Sequence, residues 1–402
     1  MDRGRRRLET PGGACAAGLL TLLAVILVAG VALGCVALAA GCGGATSGGA
    51  HRADPYLSLR SPGPTPVARP GVRVWAVGMP LLVTTSTNGG STWHTGLRTT
   101  TGDPFGQVLF GACFGDARRG WAVGKGEAIV ATVDGGQTWT VQREGTSDGD
   151  LLDVTATDAR HVWAAGFVGA HTAGLVLAST DGGRTWREQY DGADALTAVT
   201  FVDARHGWAV GTTGILATSD GGRHWRLQRP LSSFYHLNDV TFADAGHGWA
   251  VGGAGGAVVK LGFVMATSDG GRHWRLQLSH ARDLFNGVTF VGDRRGWVAG
   301  DQGQLYTTTD GGAHWTLSQM DRHWDLGAVS FGDARHGWLI VHPHWEPNVV
   351  SSTDGDQWGA LRQLTLLATS DGGRSWSAVL TARDVPAPAI LTDVVCRETG
   401  GR

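Results

Sequence analysis

Hydrophobic positions along the chain fall in short alternating runs of three to six residues, each closed by Gly, Asp, Asn or Ser. This is a strand-and-turn pattern, not the 3.6-residue period of helices. The clearest stretches, LTAVTFVDARHGWAVG (196 to 211) and LNDVTFADAGHGWAVG (237 to 252), read as two strands around a polar Asp-Ala-Arg-His-Gly turn. A third strand such as ILAT follows, then a turn octapeptide, then a fourth strand such as RHWRLQ. The unit is a four-stranded meander.

The unit repeats. The octapeptide occurs seven times, as STNGGSTW (86 to 93), TVDGGQTW (132 to 139), STDGGRTW (179 to 186), TSDGGRHW (218 to 225), TSDGGRHW (267 to 274), TTDGGAHW (308 to 315) and TSDGGRSW (369 to 376). Its Trp residues are 46, 47, 39, 49, 41 and 61 apart, the spacing of propeller blades. A second Trp series, Trp75, Trp121, Trp163, Trp208, Trp249, Trp297 and Trp338, also counts seven. The expected fold is therefore all-β: a seven-bladed propeller of four-stranded antiparallel blades. An eighth look-alike, SSTDGDQW (351 to 358), lacks the second Gly and reads as an insert.

In each octapeptide the acidic or amide residue, Asn88, Asp134, Asp181, Asp220, Asp269, Asp310 or Asp371, is placed to accept amides of its own turn, and the Gly pair to supply positive φ. The first unit starts at Val74-Trp75-Ala76-Val77-Gly78 without its VTF strand. The C-terminal LTDVVCRETGGR (391 to 402) aligns with LTAVTFVDARHG, so the tail is expected to complete blade one and leave no open edge.

The N-terminus has a different pattern. Arg3, Arg5, Arg6 and Arg7 precede a 27-residue apolar run from Ala14 to Ala40, long enough to span a bilayer. The run ends in Leu38-Ala39-Ala40-Gly41-Cys42, which resembles a bacterial lipobox with Cys42 as the acylated residue. Two readings stand, a lipoprotein signal or a retained transmembrane anchor, and both set the rest of the chain on the extracytoplasmic face of a bacterial plasma membrane. The expected organisation is 1–42 signal or anchor, 43–71 a flexible Gly/Ser/Pro linker, and 72–402 the propeller.

Composition removes other classes. Gly makes up 64 of 402 residues, with 17 Trp, and 33 basic against 35 acidic residues leave no excess charge for nucleic acid. Two cysteines fall in the propeller, Cys113 at the Thr200 position of blade two and Cys396 at the Phe201 position of blade one. Strand alternation lets them share one gap and bridge, or point away from it as free thiols.

In a meander the DARHG turns and octapeptides share one face, and the irregular loops form the other. On the irregular face Arg282, Arg322 and Arg383 recur in three successive loops, with Phe234, Tyr235, His323, Trp324 and Trp345 around them. An Arg/aromatic protein-binding rim fits this composition, and plain solvated loops fit it too. Three arginines also suit a carboxylate clamp, and Asp283, Asp321, Asp325 and Asp384 lie on that face. The seven repeated His positions read as structural, His342 to Glu346 is the one local His cluster, and no metal or other cofactor is implied.

The octapeptide is similar to the Asp-box, or BNR repeat, of sialidases and many non-enzymatic propellers. Sialidase-like sites would imply an early Arg-Ile-Pro segment, which is missing. The pairing of GWAVG with TSDGGRHW resembles the photosystem II assembly and stability factor family over about residues 72 to 402. That resemblance implies a non-catalytic seven-bladed propeller, often lipid-anchored, that binds a reaction-centre precursor through a face with arginines, and a ring with no open edge is expected to stay monomeric. The expected function is thus a membrane-tethered scaffold for an extracytoplasmic or membrane protein. The alternative is a sialidase-like glycoside hydrolase or a carbohydrate-binding propeller.

Overall fold

The computed structural model describes residues 72–79, 81–98, 108–144, 148–169, 173–193, 195–255, 260–281, 283–343, 365–381 and 390–398. The anchor, the linker, Cys42 and the insert around 351 to 358 lie outside the described residues. Among the described residues no helix is long and apolar enough to cross a membrane.

Blade four shows how the repeat folds. Its strands are Leu196–Phe201, Gly207–Gly211, Gly214–Thr218 and Arg226–Pro230, paired antiparallel in that order. Seven such four-stranded sheets form, with first strands touching around the ring. The fold is the expected seven-bladed propeller, with a short 3-10 turn at Asp301–Gly303. The C-terminal strand Ile390–Glu398 pairs with Val72–Met79, setting Cys396 opposite Val74 and Val395 opposite Trp75. The last strand therefore completes the first blade.

Each turn octapeptide is held by its own side chains. In blade four the Thr218 hydroxyl donates to Asp220 Oδ1 (2.9 Å) and accepts the Gly222 amide (2.9 Å), while Asp220 Oδ1 accepts the His224 amide (3.0 Å). Gly221 and Gly222 sit at φ 80° and 88°, where a β-carbon is strained. Asn88 does the same work in blade one, accepting the Thr92 amide at 2.9 Å. The Gly221 amide also bonds the Arg205 carbonyl of the DARHG turn at 2.9 Å. Turns and octapeptides thus share one face, as expected.

Neighbouring blades are joined by aromatic rings. Trp208 of blade four stacks on Phe242 of blade five with centroids 3.5 Å apart, and Trp274 meets Phe242 edge-on at 5.9 Å. The Trp208 Nε1 donates to the Gly270 carbonyl of the next octapeptide at 3.2 Å. The indole thus buries its face and satisfies its donor in one interaction.

Candidate functional site: channel, irregular face and an arginine edge

Every first strand carries a bulge near its start, as between Leu151 and Asp153 or Leu237 and Asp239. Bulges re-aim side chains, and here they send polar groups to the next blade. Asp393, Asp153 and Asp239 accept the amides of Ala112, Val199 and Val288 at 2.9, 2.8 and 2.8 Å. Each also accepts the amide of its own following residue at 2.7 Å. Burial pushes the Asp239 carboxyl up to about 7 and that of Asp393 up to about 6, and raises Asp153 well above the usual range. The arrangement clasps blades one to two, three to four and five to six.

Two of the three loop arginines, Arg282 and Arg383, lie outside the described residues, as do Trp345 and Asp384. Arg322 is exposed just before the first strand of blade seven. Beside it His323 bonds Asp321 Oδ1 through Nδ1 at 2.8 Å, and Trp324 is half-buried against the core between blades six and seven. Phe234 is 78% exposed and Tyr235 36%, and Tyr235 lies edge-on to Phe263 at 5.8 Å. Phe234 and Tyr235 therefore stand on blade five, apart in the chain from the Arg322 group on blade seven.

The described carboxyl groups of this face have structural partners. Asp283 is buried and bonds Gln304, with His280 Nδ1 3.3 Å away. Asp325 accepts the Gln302 amide at 3.0 Å. His342, paired with Asp325 across two strands, is lowered to about 4 by burial. Among the described residues no group of three His, Cys, Asp or Glu is arranged to hold a metal ion.

Of the two alternatives for the cysteines, the structure has the unbridged one: Cys113 and Cys396 are not joined. First-strand residues at the Phe201 position face the preceding blade, as the Trp163–Phe201 stack at 3.7 Å shows. Cys396 accordingly packs with blade seven, its sulfur 3.3 Å from the Ser330 hydroxyl. Cys113, one alternation earlier, packs into the core between blades two and three. Blades one and two stand between the two thiols.

A surface that sequence reasoning passed over lies on the outer edge. Arg184 and Arg187 of blade three, Arg223, Arg226 and Arg229 of blade four, and Arg272 and Arg275 of blade five are all exposed. None of these seven guanidinium groups has a hydrogen-bond or ion-pair partner among the described residues. Leu227 and Leu276 stand among them at 50% and 64% exposure. In blades one, two and six the positions flanking the octapeptide Trp hold Ser91 and His94, Gln137 and Thr140, and Ala313 and Thr316. The signal was GGRTWRE and GGRHWRLQ in three consecutive units, where the octapeptide's structural role hid its arginines.

Fold and repeat define an Asp-box seven-bladed β-propeller. Residues 228–325 match the family model described as photosynthesis system II assembly factor YCF48, so the resemblance carried by the repeats is borne out over that stretch. Among solved structures the chain is similar to one titled "YCF48 bound to D1 peptide", at 19% identity and TM-score 0.50, covering 69% of this chain and 82% of that one. It is also similar to the GH74 xyloglucanase of Xanthomonas campestris, at 14% identity and TM-score 0.52, covering 83% of this chain and about half (53%) of that enzyme. YCF48 from Cyanidioschyzon merolae aligns at 20% identity and TM-score 0.49, over 69% of this chain and 86% of that one. No curated protein sequence matches the chain.

Proposed function

We propose that this chain is a non-enzymatic scaffold, exported and held at the extracytoplasmic face of the membrane by its N-terminal segment, that binds a protein during assembly of a membrane complex. The same fold carries an assembly factor and a xyloglucanase, so function is argued from the surface. One observation carries the reading: seven exposed arginines without a partner among the described residues, with two exposed leucines, on three adjacent blades of a protein whose net charge is −2. Exposed guanidinium groups beside apolar side chains suit an acidic protein segment with apolar anchors. The match to the YCF48 family and the likeness to a YCF48 holding a D1 peptide support a protein as that partner.

The test is crosslinking and capture from native membranes with wild type and an Arg223/Arg226/Arg272/Arg275→Glu variant of unchanged melting temperature. Recovery of the same membrane protein by the wild type, and its loss with the variant, is expected. Hydrolysis of a glycan by the wild type, with no protein captured, overturns the reading.

A further inference from the structure

Five of the seven blade interfaces carry one latch. At one-to-two, three-to-four, four-to-five, five-to-six and six-to-seven a second-strand Trp stacks on the next blade's first-strand Phe, with centroids 3.5 to 3.7 Å apart. In each case the indole Nε1 donates to an octapeptide Gly carbonyl of that next blade at 2.9 to 3.2 Å. A first-strand side chain also reaches across each of them. Asp393, Asp153 and Asp239 do so at three, Thr197 bonds the Leu237 carbonyl (2.7 Å), and Asn286 bonds the Leu326 carbonyl (3.0 Å).

The interfaces two-to-three and seven-to-one lack the ring stack, the indole bond and a polar side chain at the bulge. Ala156 and Cys396 stand where the others have Phe. Trp121 and Trp338 are buried in the usual place, yet their Nε1 atoms have no acceptor among the described residues. The bridging first-strand pair is Phe110-Gly111 at one and Gly327-Ala328 at the other, with no polar side chain to cross. What crosses these seams is the Gly126 amide to the Asp150 carboxylate (2.9 Å), an isolated Lys125–Asp150 strand bridge and Gln142 to the Gly182 carbonyl (3.3 Å) at one, and Trp93 to the Val379 carbonyl (2.9 Å) with the Ser330–Cys396 contact (3.3 Å) at the other. Aliphatic cores still span both.

We propose that blades one and two open as a single unit, parting from the ring at these two seams while blades three to seven stay closed. Both seams bound the same two blades, and the interface inside the pair is fully latched by Trp75, Phe114, Asp393 and Thr392. Sub-global opening follows the lines of weakest mutual support. Each seam contains one of the two thiols, and burial, seconded by Asp153 and Asp393, raises the Cys113 thiol well above its usual range. Its alkylation therefore reports opening.

The test pulses the full chain with N-ethylmaleimide and reads the buried Cys113 by mass spectrometry, with an Ala250→Cys variant as a probe buried in the latched four-to-five interface. Cys113 is expected to react about tenfold or more faster than the Cys introduced at 250. Ala156→Phe, which supplies the missing ring at the Cys113 seam, is expected to slow it. Hydrogen exchange of the unmodified chain gives a second readout: strand amides of blades one and two exchange with one common free energy, below that of blades four to six. Reaction of Cys113 at the rate of the 250 probe, or exchange of all blades together, overturns the proposal.

Discussion

The Asp239 carboxylate accepts the Val288 amide of the neighbouring blade at 2.8 Å and the Val240 amide of its own strand at 2.7 Å. Burial raises this carboxyl to about 7, so at neutral pH the clasp sits near its titration point.

Stability depends on pH through that shift. The native carboxyl binds a proton that an unfolded Asp, near 4, has already released, so its contribution is complete below about pH 4 and is lost as pH rises through about 7. His342, lowered to about 4 by burial, acts in the opposite sense, losing stability as pH falls below about 6.5. The comparison is therefore made against Asp239→Asn. From pH 5 to pH 8 the melting temperature of wild type is expected to fall relative to the variant, and a constant difference would contradict the assignment.

Removing residues 391 to 402 takes away the partner of Val72–Met79. A bare apolar edge strand then faces solvent, and the truncated protein is expected to aggregate or lose cooperative melting. Size-exclusion chromatography and calorimetry check this, and a monodisperse, cooperatively melting truncation would refute closure by the tail.

Phe242→Ala empties the ring that lies between Trp208 and Trp274. The expected loss is about 3–5 kcal/mol, the usual range for a buried Phe, read from denaturant midpoints at unchanged m. A loss under about 1 kcal/mol would mean that the aromatic latch does not hold blades together.

Within the octapeptide, the Asp220 side chain holds the His224 amide and imidazole. Asp220→Ala is expected to lower the melting temperature by about 2–4 °C. Asp220→Asn is expected to cost less, because Asn88 already serves in blade one. Equal losses in the two variants would show that charge, not geometry, holds the turn.

The blade count, the strand order and the closing strand were all legible, because the octapeptide and the GWAVG Trp repeat independently and LTDVVC copies LTAVTF residue for residue in pattern. The cysteine geometry was not. Alternation states that Cys113 and Cys396 take opposite sides of their strands, but which side faces forward is set by the Trp163–Phe201 type of packing across the ring. The clasping carboxylates were hidden for a related reason: Asp153, Asp239 and Asp393 occur in alternate blades, and their reach depends on a bulge that no hydrophobic period reveals. The arginine edge was visible as letters, yet only the outer-strand geometry sets Arg223, Arg226, Arg272 and Arg275 on one exposed surface.

The decisive measurement for a partner-binding scaffold is the affinity of the intact protein for its captured membrane partner across a salt series, in wild type and in the Arg223/Arg226/Arg272/Arg275→Glu variant. Binding that weakens steeply with salt, and that the variant loses while folding normally, is the predicted result. Equal binding by the two proteins would place the partner elsewhere on the ring and contradict the arginine edge as its site.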